Sequence, residues 1–282
     1  MPTNWTEAED RRTVEAYFDM LASELKGEAY NKSAIRRSVL PHLNDRSHGS
    51  LELKNQNISA VLIQLGFPFI DGYKPRSNFQ ALLAETVETY LKSRPDLIQL
   101  MSDFVARIEE SPTIENILSI FDDQPPIPEE RIYGAVAETK PRYNFTGINF
   151  LEQEARNRHT GLSGEKLALE YERQRLIHFN KDHLARQIEH VSAEIGDGFG
   201  YDIHSYNTDG TDLFIEVKST KLRKENPFFI TQNEVRFSTE HRDNYSLYRV
   251  YHLTKSPRLF TLPGDISTHC QLSPTEFRAS FA

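Results

Sequence analysis

The sequence predicts an all-α N-terminal domain over residues 1–121 and an α/β domain over residues 143–282, joined by a linker at 122–142. Three observations carry this. Apolar residues recur at helical spacing through the first part. Three prolines fall within Pro125-Pro126-Ile127-Pro128, a composition that favours an extended spacer. Beyond the prolines the order reads helix, three β-rich runs, helix and strand, the pattern of an α/β sandwich around a small mixed sheet.

The N-terminal helices follow in order. Thr6-Glu7-Ala8-Glu9 has the capping-box pattern. Val14, Tyr17, Phe18, Leu21 and Leu25 continue at helical spacing, and Gly27 is the expected stop. Asn31 precedes a second helix expected over Ser33 to Leu43. The polar stretch 44–50 reads as a turn, and a third helix is expected from Glu52 to Leu65. Residues 67–76 hold too much Pro and Gly for regular structure. Asn78 to Leu91 and Pro95 to Glu109 supply two more helices.

The second part changes period. Helices are expected at 150–157 and from Ser163 to Phe179. Strand-like runs follow at Ile188 to Ala193, Tyr201 to Tyr206 and Leu213 to Ser219, the last two joined by the Asp209-Gly210 turn. Thr231 is placed to cap a helix to Glu240. Tyr245 to Leu253 and Arg258 to Leu262 read as strands.

Composition narrows the function classes. The N-terminus is polar, so no signal peptide is expected, and no apolar run approaches the roughly 20 residues of a membrane span. Cys270 is the single cysteine, which excludes an internal disulfide and a Cys-based zinc site, and a cytoplasmic setting is expected. The ten histidines are scattered without ligand spacing, and His190 reads as structural. The net charge of -8 argues against non-specific coating of nucleic acid. Residues 26–76 nevertheless hold eight basic and four acidic side chains, which suits either a nucleic-acid-facing patch or an ordinary solvated face.

The chemistry concentrates in Gly200-Tyr201-Asp202-Ile203 and Phe214-Ile215-Glu216-Val217-Lys218. Side chains alternate along a strand, so Glu216 and Lys218 point one way while Ile215 and Val217 point into the core. Metal-assisted phosphodiester hydrolysis needs carboxylates for Mg²⁺ and a cation or base near the attacking water. Asp202, Glu216 and the Val217 carbonyl fit the first need, with Glu165 as a further carboxylate, and Lys218 fits the second. The bland alternatives are an ion-pair ladder on an edge strand and, for Glu165, an acid complementing a helix dipole. The glycines of 196–200 lead into a strand, so they read as a sharp turn and not as a dinucleotide loop.

These residues carry a resemblance. Gly164-Glu165, Gly200-Tyr201-Asp202 and Ile215-Glu216-Val217-Lys218 resemble the PD-(D/E)XK nuclease core of restriction endonucleases. Within that superfamily, Ala155-Arg156-Asn157-Arg158, Gly161 to Glu165, Glu189-His190-Val191-Ser192, Gly196 to Ile203 and Thr231-Gln232-Asn233-Glu234-Val235 are similar to the NO VEIN C-terminal family, over residues 150–262. Tyr201 stands where the superfamily pattern has proline. The resemblance implies the αβββαβ restriction-endonuclease-like fold, Mg²⁺ (with Mn²⁺ able to substitute), Asp202, Glu216 and Lys218 as the catalytic triad, and Glu165 as a helix-borne acid. It also brings Asn233 and Glu234 near the site.

The functional expectation is a Mg²⁺-dependent nuclease, a DNA endonuclease of restriction or phage defence. Lys221, Arg223 and Lys224 follow the triad as candidate phosphate contacts. A helix–turn–helix at 31–65 offers Lys54, Asn55 and Gln56 to DNA, with Arg46 and His48 on a phosphate, and the loop 72–76 adds Lys74 and Arg76. Expected partners are nucleic acid, a second copy of the chain for double-strand cutting, or a defence-system protein. The alternative is a non-catalytic nucleic-acid-binding or scaffold protein.

Overall fold

The computed structural model describes residues 4–126, 150–155, 157–194, 196 and 198–275. Most of the expected linker, from residue 127 onward, lies outside the described residues, as do Arg156 and Asp197. The chain divides into two compact units. One takes in the described residues up to Glu109, those between 150 and 157, and Glu225–Phe228. The other takes in residues 110–126, Arg158–Lys224 and the described chain from Phe229. Among the described residues, no helix is long and apolar enough to cross a membrane.

The first unit is helical, as expected. Helix α1 (Glu7–Lys26) opens on the Thr6–Glu9 capping box and closes on Gly27, whose left-handed φ of 74° suits a residue without Cβ. Its Tyr17, Phe18 and Leu21 are buried. Helix α2 (Lys32–Val39) is capped by Asn31 and runs into a 3₁₀ turn at Leu40–His42. Helix α3 (His48–Gln64) starts four residues before the expected Glu52. The reason is local: Ser47, inside the stretch read as a turn, accepts from the Ser50 N–H at 3.1 Å and caps the helix. Helices α4 (Ala81–Ser93), α5 (Pro95–Ala106) and α6 (Phe150–Ala155) complete the unit. The Tyr17 hydroxyl pairs with Ser59 at 2.8 Å and accepts from the Ile70 N–H at 3.0 Å, tying the irregular 67–76 segment to α1 and α3.

The second unit is built on a five-stranded sheet in the order β1-β2-β3-β4-β5. Helix α7 (Arg158–His178) and one-turn α8 (Asp182–Ala185) come first. Then follow β1 (Glu189–His190), the one-turn helix α9 (Val191–Glu194), β2 (Ile203–Tyr206) and β3 (Asp212–Ser219). Helix α10 (Gln232–Glu240), capped by Thr231, leads to β4 (Tyr245–Tyr251) and β5 (Arg258–Pro263). β3 and β4 are parallel and the other pairs antiparallel, so the sheet is mixed as the sequence predicts. The strand expected over Ile188 to Ala193 shrinks to two residues, because the chain coils into α9.

The core of this unit lies between α7 and one face of the sheet. Leu167, Ala168, Tyr171 and Leu176 pack on Ile203, Ile215, Val217, Val250 and Leu259. Gly164 permits this approach: a Cβ there would meet the Ser219 Cβ at 2.3 Å. Residues 110–122 belong here, which corrects the expected boundary at 121. The 3₁₀ turn at Ile117–Ile120 packs on this core, and Phe121 forms a parallel bridge to Leu259. Asp122 is no linker residue, since its carboxylate accepts from the Tyr251 hydroxyl at 2.6 Å and from Lys224 Nζ at 2.9 Å.

Candidate functional site

β2 and β3 pair with Ile203 opposite Ile215, so Asp202, one residue before β2, lies opposite Glu216. Its N–H donates to the Ile215 carbonyl at 2.8 Å, and its Oδ2 accepts from the Val217 N–H at 2.8 Å. The carboxylate thus replaces the ladder hydrogen bond that β2 no longer supplies. Opposed residues of an antiparallel pair project to one face, and so does every second residue along a strand. Asp202, Glu216 and Lys218 therefore share a face, opposite to α7, and Lys218 Nζ meets Glu216 Oε1 at 2.7 Å. β3 is the central strand and Glu216 is 4% exposed, so the edge-strand ladder does not apply. Within a strand residue, N–H and C=O point to the same edge, so the Val217 carbonyl faces the side of Asp202.

Two further acids complete the cluster. Glu234, in the first turn of α10, is held by its capping box and reaches Lys218 Nζ at 2.8 Å. Glu165 lies two turns into α7, because the helix starts five residues before the expected Ser163. That removes the dipole explanation for Glu165, which acts only over the first turn. Its Oε2 accepts from the Ser192 hydroxyl at 2.7 Å and pairs with His190 Nε2 at 2.7 Å.

Two carboxylates hold the Lys218 ammonium, with Asp202 and then Glu165 nearby, and the acid–base balance shows it. Burial, followed by the charge of Glu165, pushes Asp202 up to about 7, against the Val217 N–H and Lys218. Burial, with Asp202 and Glu234 added, raises Glu216 well above the usual carboxylate range, against Lys218. Burial alone would lower Lys218, but Glu216 and Glu234 hold it above its ordinary value. An excess of buried, mutually repelling carboxylates is what a divalent cation neutralises.

The donor set fits Mg²⁺ in type, being carboxylates and a carbonyl. Among the described residues, Asp202 Oδ1, Glu216 Oε2 and Glu165 Oε1 accept no hydrogen bond. Yet no three His, Cys, Asp or Glu side chains of the described residues converge in a ligating arrangement, and Lys218 sits between Glu216 and Glu234. Asp202, Glu216, the Val217 carbonyl and, beside them, Glu165 are the residues that would hold the ion.

Several expected contacts are not brought here. Asn233 donates to the Gly198 carbonyl at 2.7 Å and so pins the glycine turn. Gly196, Gly198 and Gly200 all have positive φ, and a Cβ on Gly200 would meet Phe237 at 2.6 Å. Lys221 and Arg223 are buried and unavailable as surface phosphate contacts, and Lys224 is paired with Asp122. In the helical unit, Lys54 is buried on Asp10 at 2.7 Å and Asn55 is buried beside it. Arg46 is spent on Glu9 at 2.8 Å, and both Arg46 and Lys54 lie over the Trp5 ring. Helix α3 thus turns its expected base-reading side chains inward, whereas His48, Lys74 and Arg76 are exposed. His190 and Ser192, which orient Glu165, and Tyr245, buried on the same face as Glu216, were not expected at the site.

An α/β unit with carboxylates and a lysine gathered at its two central antiparallel strands is the class this geometry defines. Residues 164–262, from the end of the first α7 turns through β5, match the family model described as Protein NO VEIN, C-terminal. That match bears out the resemblance to the NO VEIN C-terminal family over all four acids and Lys218. No curated protein and no solved structure matches the chain.

Proposed function

We propose that the second unit is a Mg²⁺-dependent phosphodiester hydrolase of the restriction-endonuclease-like, PD-(D/E)XK type, acting on DNA in restriction or phage defence. The observation that carries this reading is the pairing of Asp202 and Glu216 across β2 and β3, with Lys218 on the same face and both carboxyls pushed up. Setting aside the one-turn α8 and α9 and the added strand β5, the order α7-β1-β2-β3-α10-β4 supports an αβββαβ core. Bound Mg²⁺ supplies Lewis-acid polarisation of the phosphoryl oxygen and acidifies water. Asp202 and Glu216, with the Val217 carbonyl and Glu165, would hold the ion. Lys218 is the cation paired with Glu216 and Glu234, and it orients the attacking water and balances charge on the phosphoryl oxygens. Glu165, fixed by His190 and Ser192, adds negative charge beside Asp202. The exposed His48, Lys74 and Arg76 of the helical unit are the remaining candidates for backbone contacts to nucleic acid. A chain with one such centre cuts both strands as a pair of copies, in the cytoplasm.

A second reading, a non-catalytic nucleic-acid-binding or scaffold domain, is favoured by the lysine closed between Glu216 and Glu234. A cleavage screen decides. Purified protein is incubated with double-stranded DNA, single-stranded DNA and RNA, modified and unmodified, in Mg²⁺ or Mn²⁺, beside Asp202→Ala. The hydrolase reading expects metal-dependent cleavage that Asp202→Ala lowers by about 10³-fold or more. Cleavage of nothing, or equal cleavage by the variant, returns the domain to the scaffold reading.

A further inference from the structure

Tyr245 is 2% exposed, and among the described residues its hydroxyl has no hydrogen-bond partner. A phenol buried in a folded chain normally finds one, because an unpaired buried donor forfeits its hydration for nothing. Its surroundings point to the reason. In the parallel β3–β4 pair Tyr245 lies beside Phe214, so it shares a face with Phe214, Glu216 and Lys218. Glu216 is two residues along β3 from that partner. A tyrosine leaning along its strand spans such a diagonal. Burial and then Glu216, Glu234 and Asp202 all raise the phenol's pKa, which agrees with a hydroxyl directed into the acids. Tyr248, three residues on, shows the contrast: it faces α7, and its hydroxyl donates to Glu172 at 2.7 Å.

Glu216 Oε1 is held by Lys218, and Oε2 accepts no hydrogen bond among the described residues. We propose that Tyr245 is a positioning residue of the acidic site, its hydroxyl donating to the Glu216 carboxylate and fixing its orientation when a divalent cation is bound. This rests on the metal-site reading given above. The unpaired phenol is then the donor kept in reserve while Lys218 alone holds Glu216.

The test is calorimetric titration of Mn²⁺ into the full chain, with thermal denaturation of the metal-free proteins. Tyr245→Phe removes the hydroxyl and keeps the ring. The expected result is Mn²⁺ binding weakened about 10- to 100-fold, with the metal-free melting temperature unchanged or higher. Tyr248→Phe, as the comparator, lowers the melting temperature and leaves Mn²⁺ affinity unchanged. Equal Mn²⁺ affinity for wild type and Tyr245→Phe overturns the inference alone and leaves the metal site standing. A lower metal-free melting temperature for Tyr245→Phe also overturns it, because the hydroxyl is then already paired at rest. Absence of Mn²⁺ binding by the wild type overturns the metal site and this inference together.

Discussion

Two buried glutamates lie on opposite sides of the same sheet, and their surroundings could hardly differ more. Glu172, on α7, is fully satisfied. Its Oε1 accepts from Arg175 at 2.7 Å and Tyr248 at 2.7 Å, and its Oε2 from Arg175 at 2.6 Å and Ser205 at 2.7 Å. Glu216 has one ion pair, two acids for neighbours and an unpaired phenol on its face. A buried charge that is paired and hydrogen-bonded on both oxygens is a structural element. A buried carboxylate cluster short of positive charge is held against its own repulsion, and such strain gathers at functional sites. The α7 face explains why the unit folds, and the opposite face is where the proposed chemistry would lie.

The largest effects should separate the two glutamates. Glu172→Ala takes the carboxylate from the partly buried Arg175 and leaves the buried Ser205 and Tyr248 hydroxyls without their acceptor; it should cost about 3–5 kcal/mol in urea unfolding, while cleavage per folded molecule stays unchanged. Glu216→Ala should do the reverse, removing cleavage with little or no loss of stability. Equal loss of stability in both variants would erase the distinction. Next in size is Gly164→Ala, whose new Cβ meets Ser219 head-on between α7 and β3. It should cost about 1–3 kcal/mol and disturb the reach of Glu165 as well. A neutral effect would mean that the helix does not sit as close to β3 as described.

A further effect is in pH dependence. Asp202 rises from its ordinary 3.8 to about 7 on folding. Between about pH 4 and pH 7 the unfolded chain has released this proton and the folded chain still holds it. Its contribution therefore favours the fold most below about pH 4, and that advantage declines as pH rises through 7. Metal-free Asp202→Asn should show a flatter decline than wild type over that range, measured by urea midpoint. Parallel profiles would show that Asp202 titrates normally and that the repulsion in the cluster is slight.

Much of this was legible in the sequence because it is local. The Thr6 and Thr231 capping boxes, Gly27 and the Asp209-Gly210 turn are decided by residues within a few positions of each other. Period-2 alternation was enough to put Glu216 and Lys218 on one face. What failed was set elsewhere in the fold. Lys54 and Asn55 sit at helical positions that look polar, and only the packing of α1 and Trp5 turns them inward. Lys221 and Arg223 follow β3 in a stretch that reads as a solvated loop, and the structure buries both. The Tyr245–Glu216 diagonal depends on the parallel register of strands that a helix separates, for which one sequence carries no signal. The glutamate comparison is likewise invisible in sequence, since Glu172 and Glu216 differ only in what surrounds them.

Calorimetric titration of Mn²⁺ at pH 8 into wild type, Asp202→Ala and Glu172→Gln is the most direct measurement of the central claim. Wild type and Glu172→Gln should bind the ion with equal affinity, and Asp202→Ala should lose that binding. If the three proteins give the same heats, or if wild type gives none, the carboxylates facing away from α7 are not a cation site.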